Sequence, residues 1–108
     1  MTYSYNSVCK MLQFAVPGDL LSTNAEQFRV SAGSMVDAHR ASVPEWDAVE
    51  VDLERAHMVD SAGLNALIGL LKTLKNQGRR MIIRVADPHV HRVLIFTRMD
   101  RQAEVIKT

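Results

Sequence analysis

Met58-Val59-Asp60-Ser61-Ala62-Gly63-Leu64 is the stretch on which the reading of this chain turns. Its small and polar residues make a poor core and a good helix start. Ser61 is read as the N-cap, Asp60 suits the positive end of the helix dipole, and Gly63 permits close packing. Downstream, Leu64, Leu67, Ile68, Leu71 and Leu74 recur at i, i+3, i+4 and i+7, so a long amphipathic helix follows. Ala66 and Leu70 widen its apolar face, Lys72, Lys75 and Asn76 lie opposite, and Gly78 ends it as a natural C′ residue. Upstream, Trp46 to Leu53 sets apolar residues against Asp47, Glu50 and Asp52, the pattern of a half-buried strand. Glu54 to His57 is the connection, and Met58-Val59 returns to the apolar layer before the helix.

Toward the N-terminus, Val8 to Val16 reads as a strand stopped by Pro17-Gly18-Asp19. Met1 to Ser7 is expected to be loosely ordered or to form a short edge strand. Thr23 and Glu26 stand at capping-box spacing, and Ala25, Phe28, Ala32, Met35 and Val36 give a helix over about Asn24 to Ala41. Pro44 closes that region. Toward the C-terminus, Met81 to Val85 is a strand. Asp87-Pro88 is an N-cap with proline at the first helical position, and a third helix runs to about Arg98. Ala103 to Ile106 is a last strand. Strands alternating with helices imply an α/β fold with a mostly parallel sheet.

The 108 residues suit one domain, 47% hydrophobic and 23% charged, which is ordinary for a soluble protein. A net charge of +1 gives no electrostatic case for nucleic acid or an acidic membrane. A single cysteine, Cys9, excludes an intrachain disulfide and fits a reducing compartment. No apolar run approaches the ~20 residues of a membrane span, and Met1 to Asn6 lacks a secretory pattern, so direct membrane insertion is not expected and a cytoplasmic location is.

No enzyme constellation stands out. There is no glycine-rich phosphate loop and no G-x-S-x-G elbow. His39, His57, His89 and His91 lack a cysteine or carboxylate cluster at ligand spacing, and Cys9 reads as a small core residue. No catalytic residue, metal site or cofactor is expected. The Ser61 stretch alone permits a switch. A phosphate there would add roughly −1.5 to −2 charges at a helix N-terminus, which tolerates anions. The fold would persist while a partner pressed against that point would meet a new hydrated charge.

Four blocks resemble the STAS domain family, shared by anti-sigma factor antagonists and sulfate-transporter tails. Pro17-Gly18-Asp19-Leu20 with Asn24-Ala25-Glu26 is similar to its first turn and helix start. Val49-Glu50-Val51-Asp52-Leu53 is similar to its central strand. Val59-Asp60-Ser61-Ala62-Gly63-Leu64 resembles its D-S-x-G-L signature, and Pro88 to Leu94 with Thr97-Arg98-Met99 its third-helix block. The resemblance implies a single STAS-type domain over residues 1–108, with a four- to five-stranded mixed, mostly parallel sheet and about three helices. It implies an anti-sigma factor antagonist, not an enzyme, working by partner switching. Ser61 would be the phosphoacceptor, and Asp19, Asp60, Ala62, Gly63 and Leu64 the partner face. The implied partners are an anti-sigma factor that is itself a serine kinase and a PP2C-type phosphatase, with the chain a monomer that enters a heterocomplex. The alternative is a constitutive docking subunit of a lipid-transport ABC system. Two positions depart from the family pattern: Leu21, where a second aspartate is common, and Arg98, where the family has glycine.

Overall fold

In the computed structural model, which describes residues 2–6, 10–39 and 46–108, strands and helices alternate after an N-terminal strand pair. β1 (Thr2–Asn6) and β2 (Met11–Ala15) come first. Then follow α1 (Ala25–Ala38), β3 (Ala48–Leu53), α2 (Ser61–Asn76), β4 (Arg80–Val85), α3 (Pro88–Phe96), a 3-10 turn at Met99–Arg101, and β5 (Glu104–Lys107). The strands lie in chain order, with β1 antiparallel to β2 and every later pair parallel. The mixed, mostly parallel sheet with three helices is therefore as read from the sequence, and the N-terminal segment supplies the edge strand.

Each parallel step moves one place in the same direction across the sheet. Right-handed crossovers then put every helix on one face. The residues agree. Leu12 and Phe14, Val49, Val51 and Leu53, and Met81, Ile83 and Val85 are in register on one face and join the helices in a single core cluster. Phe14 meets Phe28 of α1 edge-on, with ring centroids 5.4 Å apart, the geometry that aromatic quadrupoles favour. The opposite pleat carries Gln13, Glu50 and Arg84, and the buried Ala48 and Ile82 stay outside the cluster.

Several sequence expectations need correction. β3 begins at Ala48, so Trp46 precedes it; the indole is buried and donates from Nε1 to the His39 carbonyl at 2.7 Å. β3 is also largely buried on both faces, Asp52 being intermediate, because side chains of β2 and β4 crowd the face away from the helices. Glu50 is only 8% exposed and is satisfied by Gln13 Nε2 at 3.3 Å, with the Arg84 guanidinium 3.9 Å away. α1 stops at Ala38, where the His39 N–H still reaches the Met35 carbonyl. No capping box forms at its start. Asn24 is the N-cap, and its side chain is occupied by the Leu21 N–H and the Asp19 carbonyl. Val8, Cys9 and Ser42 to Glu45 lie outside the described residues. β5 is shifted by one residue, to Glu104–Lys107.

α2 follows its pattern closely. Ala66, Leu67, Leu70, Leu71 and Leu74 are buried, Leu64 and Ile68 partly so. Its end is a Schellman motif: Gly78 at φ +69 donates to Lys75, and Arg79 donates to Leu74. α3 starts as read, with Asp87 as N-cap and Pro88 in the first turn.

Candidate functional site

Three loops leave the carboxyl ends of β2, β3 and β4, and an aspartate in each ties them into one corner. The loop after β2 runs beside the loop after β3 as a short parallel extension of the sheet. Leu20 bridges Val59, the Leu20 N–H donates to Met58, and the Asp60 N–H donates to Leu20. Asp19 Oδ1 accepts the N–H groups of His57 at 2.7 Å and Met58 at 3.2 Å. Asp19 thus serves the backbone, and it holds Met58 with its side chain 49% exposed. Val59 enters the core as read; Met58 does not.

Ser61 does not cap α2. Asp60 is the N-cap, in an extended conformation, and Ser61 is the first helical residue. Asp60 Oδ1 accepts the Gly63 N–H at 2.9 Å, and its Oδ2 accepts the Ser22 N–H at 2.8 Å. One carboxylate therefore joins the start of α2 to the approach of α1. Those bonds favour the charged form and hold the Asp60 carboxyl below its ordinary range, the Gly63 bond first and the Ser22 bond second. With the cap filled by its neighbour, the Ser61 side chain is exposed and makes no hydrogen bond among the described residues.

Gly63 is required by the crossing. A Cβ at that position would lie 2.3 Å from the Leu20 carbonyl oxygen, inside contact distance of backbone that is itself bonded to Asp60. Ala62 and Leu64 are half-buried on either side, and the Leu64 N–H makes the first helical bond, to the Asp60 carbonyl at 2.8 Å.

The third aspartate brings in a residue that sequence reading passed over. Asp87 Oδ1 caps α3 through His89 and Val90, while Oδ2 accepts from His57 Nδ1 at 2.9 Å. The bond to Asp87 raises the His57 pKa, and the same bond lowers that of Asp87. Thirty residues separate the two, so no local pattern could have paired them. The visible signal was Asp87-Pro88 as a cap; its second oxygen had no partner to be read. No hydrogen bond links Ser61 to His57, so the serine, histidine and aspartate here do not form a relay among the described residues. Among the described residues no cluster of three or more His, Cys, Asp or Glu could hold a metal, and no helix is long and apolar enough to cross a membrane.

The STAS domain family model matches residues 2–108. The chain belongs to the STAS family. Solved structures agree at the level of the fold. An anti-sigma factor antagonist from Mycobacterium paratuberculosis superposes with a TM-score of 0.78 at 18% identity, covering 99% of this chain and 86% of that one. The Bacillus cell fate determinant SpoIIAA in its phosphorylated form gives 0.67 at 17% identity, covering 98% and 92%. A sulfate transporter family protein from Wolinella succinogenes gives 0.71 at 12% identity, covering 95% and 80%. No curated protein matches the chain in sequence.

Within this STAS domain the two departures from the family pattern have different settings. Leu21 is half-buried, with its N–H given to Asn24 and its carbonyl accepting from Asn24 and Ala25. Arg98 is left-handed, at φ 62 and ψ 25. That is the conformation in which glycine has no Cβ penalty, which explains the small residue of the family pattern.

Proposed function

We propose that this STAS domain is an anti-sigma factor antagonist whose binding is switched by phosphorylation of Ser61. The observation that carries the reading is the contrast within one turn. Asp60 and Gly63 are committed to backbone bonds and packing, while the adjacent Ser61 hydroxyl is exposed and uncommitted. A phosphate at that position meets the positive end of a 16-residue helix and disturbs no internal bond. The fold persists, and the surface beside it changes by roughly −1.5 to −2 charges. The likeness to an anti-sigma factor antagonist and to a phosphorylated SpoIIAA supports the same reading.

The face read by the partner consists of Asp19, Asp60, Ala62 and Leu64 around Ser61, with Met58 as its apolar contribution. Gly63 acts beneath it by setting the backbone. The partners are an anti-sigma factor with serine kinase activity and a PP2C-type phosphatase that resets Ser61. The chain acts without catalysis of its own, in the cytoplasm, as a monomer that enters a heterocomplex.

The exposed Met58, together with Leu21 at the place of a family aspartate, favours one further reading: constitutive docking to a lipid-transport ABC system. Mass spectrometry after incubation with the cognate kinase and ATP separates the two. The switch requires a single phosphate on Ser61 and release of the partner by Ser61→Asp. An unmodified Ser61, with Ser61→Asp binding as wild type, supports docking instead.

A further inference from the structure

At the opposite end of the sheet, the end of α2, the entry to β4 and the turn before β5 enclose a cavity of about 380 Å³. Lys75, Arg79, Arg80 and Arg101 line it against a single carboxylate, Glu104. Their partners do not account for their charge. Lys75 Nζ donates to the neutral Gln102 Oε1 at 3.2 Å. Arg79 lies 3.8 Å over the Trp46 ring and donates from Nε to the Trp46 carbonyl at 3.3 Å and from Nη1 to the Gln77 amide oxygen. Arg80 faces Asp47 at 3.6 Å, both well exposed. Arg101 has no side-chain partner among the described residues. Three cations thus converge from three chain segments with no ion pair to any of them among the described residues and Glu104 as the one carboxylate in the lining, in a protein whose net charge is only +1. Gathering like charges in a concavity is unfavourable, and an anion there relieves it.

We propose that this cavity binds a compact anion carrying two or more linked phosphates. The stacked Arg79 guanidinium is already oriented, so little rotamer freedom is lost when it takes up a phosphate oxygen. The three unpaired cations outweigh the roughly −1.5 to −2 charge of one phosphate and come nearer to balancing a linked diphosphate, and the volume falls within the ~300–1,000 Å³ of small-molecule clefts. The site is remote from Ser61 and its loops, so it does not depend on the reading of that corner.

The test is calorimetric titration of the whole chain with inorganic pyrophosphate and with ADP, using sulfate at matched ionic strength as the control. Amide chemical shifts are followed alongside. Saturable one-to-one binding is expected, with shifts concentrated in residues 79–81 and 101–104 and sulfate at least about tenfold weaker. Arg101→Ala and Lys75→Ala, both at exposed positions, each weaken binding about tenfold, and the double variant binds no more tightly than sulfate. Arg29→Ala leaves it unchanged. Equal affinity for the two ligands assigns the site to the diphosphate alone; tighter binding of ADP adds the nucleoside. The proposal is overturned if neither ligand exceeds sulfate, if the shifts fall at residues 57–64, or if the double variant binds as wild type.

Discussion

The two ends of the parallel sheet carry opposite charge and treat it in opposite ways. At the carboxyl ends, Asp19, Asp60 and Asp87 each accept backbone N–H groups, and Asp87 also takes His57. At the amino ends, Lys75, Arg79 and Arg101 rest on neutral groups or on none among the described residues. A satisfied charge cluster is architecture: its bonds hold three loops in one place. An unsatisfied one is a vacancy of charge. In the proposed reading the acidic corner acts through a group that its aspartates leave uncommitted, the Ser61 hydroxyl, whereas the basic end would act through its cations themselves.

The largest expected effect breaks the acidic corner at its crossing. Gly63→Ala places a methyl group on the Leu20 carbonyl and should destabilise by about 2–3 kcal/mol in denaturant titration, although alanine is the better helix former. Gly69→Ala in the same helix meets nothing within 4 Å and should instead stabilise by about 0.5–1 kcal/mol, so the pair isolates the contact from the propensity. Next in size, Asp60→Ala removes the bonds to Gly63 and Ser22 together, and calorimetry should show a melting temperature lower by about 5 °C. Arg98→Gly relieves a left-handed side chain and should stabilise by about 1 kcal/mol.

The smallest effect is that of pH. Asp60 and Asp87 have lowered pKa values, so their contribution is complete above the unfolded carboxylate value of about 3.9 and is lost as pH falls through their folded values. His57 has a raised pKa, so its contribution is complete below about 6.5 and is lost as pH rises through its folded value. Melting temperature should therefore be highest between these limits. His57→Gln should remove the decline on the alkaline side and leave the acid limb largely in place.

Much of this was legible in the sequence because periodicity reports burial directly. The five residues of α1 named from spacing are the five that are buried, and Gly78 and Asp87-Pro88 mark helix ends by local backbone chemistry. The cap of α2 was misplaced by one residue because aspartate and serine are both good N-caps and stand side by side. What decides between them is the Leu20 bridge to Val59, which places Asp60 between Gly63 and Ser22. The His57–Asp87 pair and the convergence of Lys75 with Arg101 depend on segments that only the folded topology brings together. The charge on β3 misled for the same reason, since Glu50 is covered by side chains that β2 and β4 bring beside it, Gln13 and Arg84.

The most direct measurement is the affinity of the unmodified and the Ser61-phosphorylated chain for the cognate anti-sigma factor, with amide spectra of both forms recorded alongside. Binding should be at least about 100-fold weaker after phosphorylation, with spectral changes confined to the loops around Asp19, Ser61 and Asp87. Equal affinity of the two forms, with phosphate confirmed on Ser61, would contradict it.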